Sequence, residues 1–362
     1  MKKRIDWGYL ASLSLSVVLA LLVGAAIMAV TGHDPIAAYR ELVKGATGCQ
    51  RLSDVLHLFA KRQFGNTIEY AMVLFLTGLA CAIGARVGIF NVGGEGQLYL
   101  GAIVSAYIGA KMAGSSAWIV IPLAALGAMA AGGFYAWIPG VLKVKLKVNE
   151  VITTIMMNTI AIYLCSYLSN GPWKTTQGNR VSGTDTLAAN LQFTRLIKGS
   201  NLTTAIFASA VIAFLVWYVM AKTTKGYEMK LIGENPRFAR YSGLKVDRTI
   251  ITTMVISGAI CGLVGMFEVY GLKGNYQDGI SNEYYFDGLL VAMIMRYQPV
   301  GIIAMSFAFA FLKVGAAGME LNAGVPGELY RIIQAVIIFF LAAESGVKAI
   351  LAGKMKGGAR HG

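Results

Sequence analysis

The chain has 362 residues, of which 56% are hydrophobic and only 14% charged, and it contains 43 glycines. That apolar content exceeds the composition of soluble domains and excludes a water-soluble globular protein, leaving a membrane protein. The formal charge of +14 does not point to nucleic acid, because the Lys and Arg residues sit in short loops between apolar runs rather than on one face of a folded domain.

Crossing a hydrocarbon core of roughly 30 Å takes about 20 mostly apolar helical residues, since each backbone amide must find its partner inside its own helix. The chain opens with Lys2-Lys3-Arg4 and an apolar run from Leu10 to Val30. This start is signal-like, yet the run is too long and lacks a small-x-small cleavage site, so it reads as an uncleaved first helix. Further spans are predicted near 67–85, 91–110, 117–139, 150–169, 203–221, 249–270, 284–295, 299–317 and 329–344. The segment at 284–295 is short and reads as a broken or tilted helix. The fold class is therefore an all-α polytopic membrane protein of about ten transmembrane helices, one transmembrane domain over residues 1–362.

Lys and Arg accumulate on the cytoplasmic side of membrane proteins. With the N-terminus inside, that side receives the Arg86 turn, the Lys143-Lys145-Lys147 loop, the 222–248 loop, the Arg296 turn and a tail with Lys348, Lys354, Lys356 and Arg360, all of them basic. Segments 31–66 and 170–202 become external loops, and both termini are cytoplasmic. Five spans lie on each side of the 170–202 loop, an arrangement open to an inverted repeat of two five-helix halves. Its sequence support is Glu150-Val151-Ile152 with Asn158 against Glu328-Leu329-Tyr330 with Gln334.

Between the second and third spans, Arg86-Val87-Gly88-Ile89-Phe90-Asn91-Val92-Gly93-Gly94-Glu95-Gly96-Gln97 places polar groups and four glycines among apolar runs. Glycine costs about 1 kcal/mol in a helix interior, so the segment is expected to unwind or re-enter, with its freed backbone facing protein or water. A carboxylate in the bilayer costs at least about 2.5 kcal/mol, so Glu95 should face the bundle interior. Two readings stand: a polar lining of a solute path, or a tight interfacial turn with Glu95 paired to Arg86. The segment is not a dinucleotide turn, because Tyr99 stands where the last glycine belongs and no strand precedes it. No G-x-x-x-x-G-K-[ST] occurs anywhere, so ATP-driven work would need a separate polypeptide to bind the nucleotide.

The 222–248 loop holds a punctuated short helix. Asn235 suits the N-cap, Pro236 the first helical position and Gly243 a left-handed stop. About two turns between them cannot stand alone, and Phe238 with Tyr241 offers an apolar face for docking into a partner's groove or for resting on anionic lipid headgroups. Glu69, Asn158, Glu268, Asp287, Lys313 and Gln334 interrupt apolar spans. Asn158 and Asp287 lie deepest, as interhelical hydrogen-bonding groups or solute contacts, whereas Glu69, Glu268 and Lys313 suit snorkelling or interhelical pairs. Gly78, Gly84, Gly127, Gly132, Gly133, Gly258, Gly262 and Gly265 permit close helix approach. Cys49, Cys81, Cys165 and Cys261 are scattered, fit neither a metal site nor a disulfide framework, and read as structural. His33, His57 and His361 join no catalytic constellation, so an enzyme is disfavoured.

Taken together, 85–97, Asn149 to Asn158, Gly233 to Gly243, Phe286-Asp287-Gly288-Leu289-Leu290-Val291-Ala292 and Val325-Pro326 leading to Ile333-Gln334 resemble, in order, the permease subunits of ribose- and nucleoside-type bacterial ABC importers, especially the longer nucleoside permease. The resemblance implies import of nucleosides, related ribosides or simple sugars by alternating access. It also implies ATPase subunits that use ATP while this chain binds no cofactor or metal, a second permease in a heterodimer, an extracytoplasmic binding protein or lipoprotein, and surrounding membrane lipid. Gly233, Glu234, Asn235, Pro236, Arg237, Phe238, Ala239, Arg240, Tyr241 and Gly243 would couple to the ATPase. The solute path would be lined by Phe90, Asn91, Glu95, Gln97, Asn158, Phe286 and Asp287. Departures are Gly94, where a residue such as Ile or Val is expected, and Met295-Arg296-Tyr297-Gln298 in place of a glycine-containing turn; the external Gly171-Pro172-Trp173-Lys174 also matches nothing familiar. The alternative reading is an ion-coupled secondary transporter in which Glu95 or Asp287 titrates.

Overall fold

The computed structural model describes residues 7–49, 52–175 and 183–340. Lys2-Lys3-Arg4 and the tail basic residues Lys348, Lys354, Lys356 and Arg360, which entered the orientation argument, lie outside the described residues.

The described residues form helices joined by loops, with no strand among them: α1 (Trp7–Val30), α2 (Pro35–Thr47), α3 (Arg62–Arg86), α4 (Gly94–Lys111), α5 (Ala117–Leu146), α6 (Glu150–Asn170), α7 (Ala205–Lys222), α8 (Thr224–Glu234), α9 (Pro236–Tyr241), α10 (Val246–Glu268), α11 (Tyr284–Ile294) and α12 (Pro299–Ala323). A last helix, α13, covers Leu329–Phe340. Each sequence-predicted span falls on one of these helices. Six of them, α3, α5, α6, α7, α10 with its extension to Lys273, and α12, are long and apolar enough to cross a bilayer. Shorter apolar helices occupy Ser14–Val30, Tyr284–Ile294 and Leu329–Phe340. At about 1.5 Å per residue, the 11 residues of α11 reach only half way across the hydrocarbon.

The segment at 31–66, expected as loop, contains α2, and its local chemistry explains why. Asp34 caps by accepting the Ile36 N–H, Pro35 takes the first position, and Gly48 closes the end at φ 74°. The helix is short and amphipathic rather than uniformly apolar, so a search for long apolar runs passes over it.

The chain forms two compact units, Met1–Thr67 with Phe309–Gly362, and Ile68–Ala308. In the first, α2 lies close against the second half of α12. A methyl on Gly45 would meet the Gly318 Cα at 2.8 Å, and one on Gly315 would meet the Leu42 carbonyl oxygen at 2.5 Å. In the second, α10 packs on α5 and α4, which also pack on each other. Their crossing is glycine on glycine: a methyl on Gly101 would sit 2.2 Å from the Gly262 oxygen, and one on Gly132 would sit 2.3 Å from the Gly258 oxygen. Small residues let the backbones touch, the means of helix association open to a bundle whose solvent is as apolar as its side chains.

Candidate functional site

Helix α3 ends at Arg86 and α4 begins at Gly94, so the glycine-bearing segment is a true break. Gly88 turns the chain at φ 77°, and residues 89–92 run without helical structure before α4 starts. The freed backbone and polar side chains of this break satisfy one another. Asn91 donates to the Gln97 side-chain oxygen at 3.0 Å and to Ser257 Oγ on α10 at 2.9 Å, while its own oxygen accepts from Gln97 at 3.1 Å and from the Gly93 N–H at 3.1 Å. The Ser257 hydroxyl in turn donates to the Ala80 carbonyl at 2.8 Å.

From α6, Asn158 takes the Gly96 N–H at 2.8 Å and donates to the Val92 carbonyl at 2.9 Å, and Thr154 Oγ1 accepts from the Val92 N–H at 3.2 Å. From α11, the Tyr285 N–H donates to Glu95 Oε2 at 3.1 Å and the Tyr285 hydroxyl donates to the Asn91 carbonyl. Asn91, Gln97, Glu95 and Asn158 are all buried. Four helices are thus pinned to one non-helical stretch, which is how irregular backbone buried in protein is satisfied.

The structure bears on one of the two readings of Glu95, the pair with Arg86. Its carboxylate faces inward and receives the start of α11, where the helix carries partial positive charge. Arg86 does not pair with it; the guanidinium reaches the Met220 carbonyl on α7 at 3.4 Å. Gly94 lies under the Tyr285 ring, and a methyl there would stand 1.9 Å from a ring carbon. The residue in place of the expected Ile or Val therefore makes the room that Tyr285 occupies.

Phe90, Phe286 and Asp287 stand apart from this network. Phe90 is 38% exposed and meets Tyr297 edge to face at 6.1 Å. Asp287 is half-buried and accepts the Tyr70 hydroxyl at 2.9 Å; Phe286, also half-buried, meets the Tyr285 ring. Arg296 and Tyr297 turn the chain at φ 49° and 57° without glycine, and burial pushes the Tyr297 hydroxyl up to about 12, so it stays neutral. Thr154, Ser257 and Tyr285 are the members of the site that the sequence reading missed. Ser257, next to the packing residue Gly258, carried the faint signal of a hydroxyl inside an apolar run.

The short helix of the 222–248 loop forms as its punctuation requires. Asn235 Oδ1 accepts the Phe238 N–H at 3.0 Å, Pro236 opens α9, and Gly243 stops it at φ 81°. Ala239 is buried beneath it, while Phe238 is 54% and Tyr241 92% exposed. Arg240 pairs with Asp247 at the start of α10, Lys230 with Glu234 at 3.4 Å along α8, and Arg237 is exposed. Beside α9, Gly233 lies on the turn that opens the break: a methyl there would be 2.4 Å from the Arg86 carbonyl oxygen and 3.2 Å from the Gly88 nitrogen. The two regions named from sequence therefore touch.

Residues 63–342 match the protein family described as branched-chain amino acid transport system / permease component. The chain is 34% identical to the guanosine ABC transporter permease protein NupP of Bacillus subtilis, over 94% of this chain and 95% of that one. It is 31% identical to the nucleoside ABC transporter permease protein NupB of Lactococcus lactis, over 93% and 92% of the two chains. The glucose ABC transporter permease protein TsgB13 of Haloferax volcanii is 33% identical, over 90% and 85%. No solved structure matches the chain.

Proposed function

Since this chain belongs to the family of branched-chain amino acid transport system permease components, a multi-pass membrane transport protein and not an enzyme, we propose that it forms the channel of an ATP-driven importer of nucleosides, related ribosides or simple sugars. The helices cross the bacterial inner membrane about ten times, with both termini in the cytoplasm and two five-helix halves in inverted sense. ATPase subunits supply the work, a second permease completes the core, and an external binding protein delivers the solute.

The observation that carries the reading is the contact of Gly233 with Arg86 and Gly88. Closure of an ATPase pair moves α9, whose exposed Phe238 and Tyr241 are the docking side chains. Motion of α9 is felt at the α8 end, and Gly233 passes it to the Arg86–Gly88 turn without a side chain to cushion it. The break then shifts as one piece, because Asn91, Gln97 and Asn158 tie it to α6 and α10. In this scheme those three residues and Glu95 hold the polar wall of the path, and Phe90, Phe286 and Asp287 meet the solute. The aromatic rings give a flat surface for a base, and the carboxylate accepts from ribose hydroxyls.

The test is uptake of labelled guanosine into vesicles that hold the chain with its co-purifying ATPase and external binding protein. Uptake that requires ATP inside and ignores an uncoupler supports the reading. Uptake without ATP that collapses with the uncoupler establishes the ion-coupled alternative, and external labelling of a Tyr241→Cys variant in intact cells removes the docking scheme.

A further inference from the structure

At the end of the membrane-spanning helices α7 and α10 lies a cavity of ≈ 680 Å³. Val219 of α7, Met229 of α8, and Lys245, Arg248, Thr252 and Ile256 along the start of α10 are on its wall. Arg248, Thr252 and Ile256 share one helix face, since intervals of four residues return to the same side, and Lys245 stands at the N-cap just before them. Along that face the chemistry changes in order from two cations, through the hydroxyls of Thr249 and Thr252, to the apolar side chain of Ile256. Ile256 is ten residues beyond Val246, about 15 Å into the span.

Charge on the wall is unevenly compensated. Lys225 is paired with Glu228 at 2.8 Å, and Asp247, on the adjoining face, is paired with Arg240. Lys245 and Arg248 are exposed and have no carboxylate partner among the described residues. A free anion would be served by the two cations but gains nothing from Val219, Met229 and Ile256. A wholly apolar occupant gains nothing from the cations. An anionic phospholipid has both parts in the observed order and at the observed depth: a phosphate for Lys245 and Arg248, ester oxygens for the threonines, and acyl methylenes for the deeper wall.

We propose that this cavity is a binding site for an anionic phospholipid of the leaflet on the α8–α9 side. Because α8 and α10 both wall the cavity, the bound lipid braces α8 against α10 and sets the rest position of the segment that α8 and α9 form.

The full-length chain in nanodiscs of phosphatidylglycerol and phosphatidylcholine, extracted in mild detergent, tests this by mass spectrometry of the retained lipid. The wild type is expected to keep phosphatidylglycerol over phosphatidylcholine. The Lys245→Gln/Arg248→Gln variant should bind it about thirtyfold more weakly, the factor that two basic residues at an anionic surface supply. Thr252→Trp, which fills the cavity and leaves the charges, should also lose it; a Lys198→Gln control should not. Equal retention by wild type and both cavity variants overturns the site. Displacement of the lipid by millimolar inorganic phosphate overturns it in favour of a simple anion site, and disulfide capture of a partner subunit by Thr252→Cys shows that protein fills the cavity instead.

Discussion

The break between α3 and α4 and the short helix α9 treat their side chains in opposite ways. In the break, Asn91, Gln97, Asn158, Thr154 and Ser257 spend their hydrogen-bonding groups on one another and on nearby backbone, and the polar residues are buried. In α9 the backbone is capped by Asn235, but the two large aromatic side chains point away from the protein. The difference follows from the solvent each meets. An unpaired amide inside a membrane costs several kcal/mol, so polar residues there are recruited first into structure. An exposed ring on the aqueous side costs little, so Phe238 and Tyr241 are free to serve an interface. Burial therefore marks the break as framework, whereas the exposed rings of α9 are what the proposed docking scheme uses.

The largest effect that tests this contrast is expected at Gly94. Gly94→Val places carbon where the Tyr285 ring already stands and should abolish stable assembly, seen as loss of a monodisperse peak after extraction. Adding Tyr285→Ala should restore part of it, by at least about 1 kcal/mol of coupling, because the two residues share one volume. If the single variant is as stable as the parent, the break is not packed as framework. Next, Asn91→Ala leaves the Gln97 amide and the Gly93 N–H without their partner and should cost about 2–3 kcal/mol, measured as a lower thermal midpoint. A midpoint unchanged with transport lost would mean that Asn91 works on the solute rather than on the fold.

Sequence alone located both regions, but not what each does with its polar groups. The apolar runs are long, so helix positions were legible, but not all their ends. Helix α5 runs on to Leu146 and takes up Lys143 and Lys145, which were expected in a loop, and α12 runs on to Ala323, because polar residues extend a helix past its apolar stretch. Asn235, Pro236 and Gly243 made α9 legible too, since caps act on neighbours in sequence. The partners of Asn91 were not legible. Ser257 is 166 residues away, and nothing in the local pattern says that the Gly101–Gly262 crossing brings α10 near. Tyr285 was hidden for the same reason, although Gly94 recorded its presence as an absent side chain. Helix α2 was missed for another reason: its signals are caps rather than length.

On the α9 side the expected effects are smaller and leave the fold intact. Phe238→Asp should insert and purify normally and lose the ATPase by about thirtyfold or more in co-purification, as a central aromatic contact does. Retained capture with normal uptake would remove Phe238 from the interface. Asn235→Ala makes the finest cut. It deletes only the bond to the Phe238 N–H, worth about 1 kcal/mol in a helix of six residues that has few others. ATP-driven uptake should fall roughly fivefold while the thermal midpoint stays put, and Asn235→Asp, which caps equally well, should restore it. A drop in the midpoint instead would place α9 within the framework, and the contrast between the two regions would disappear.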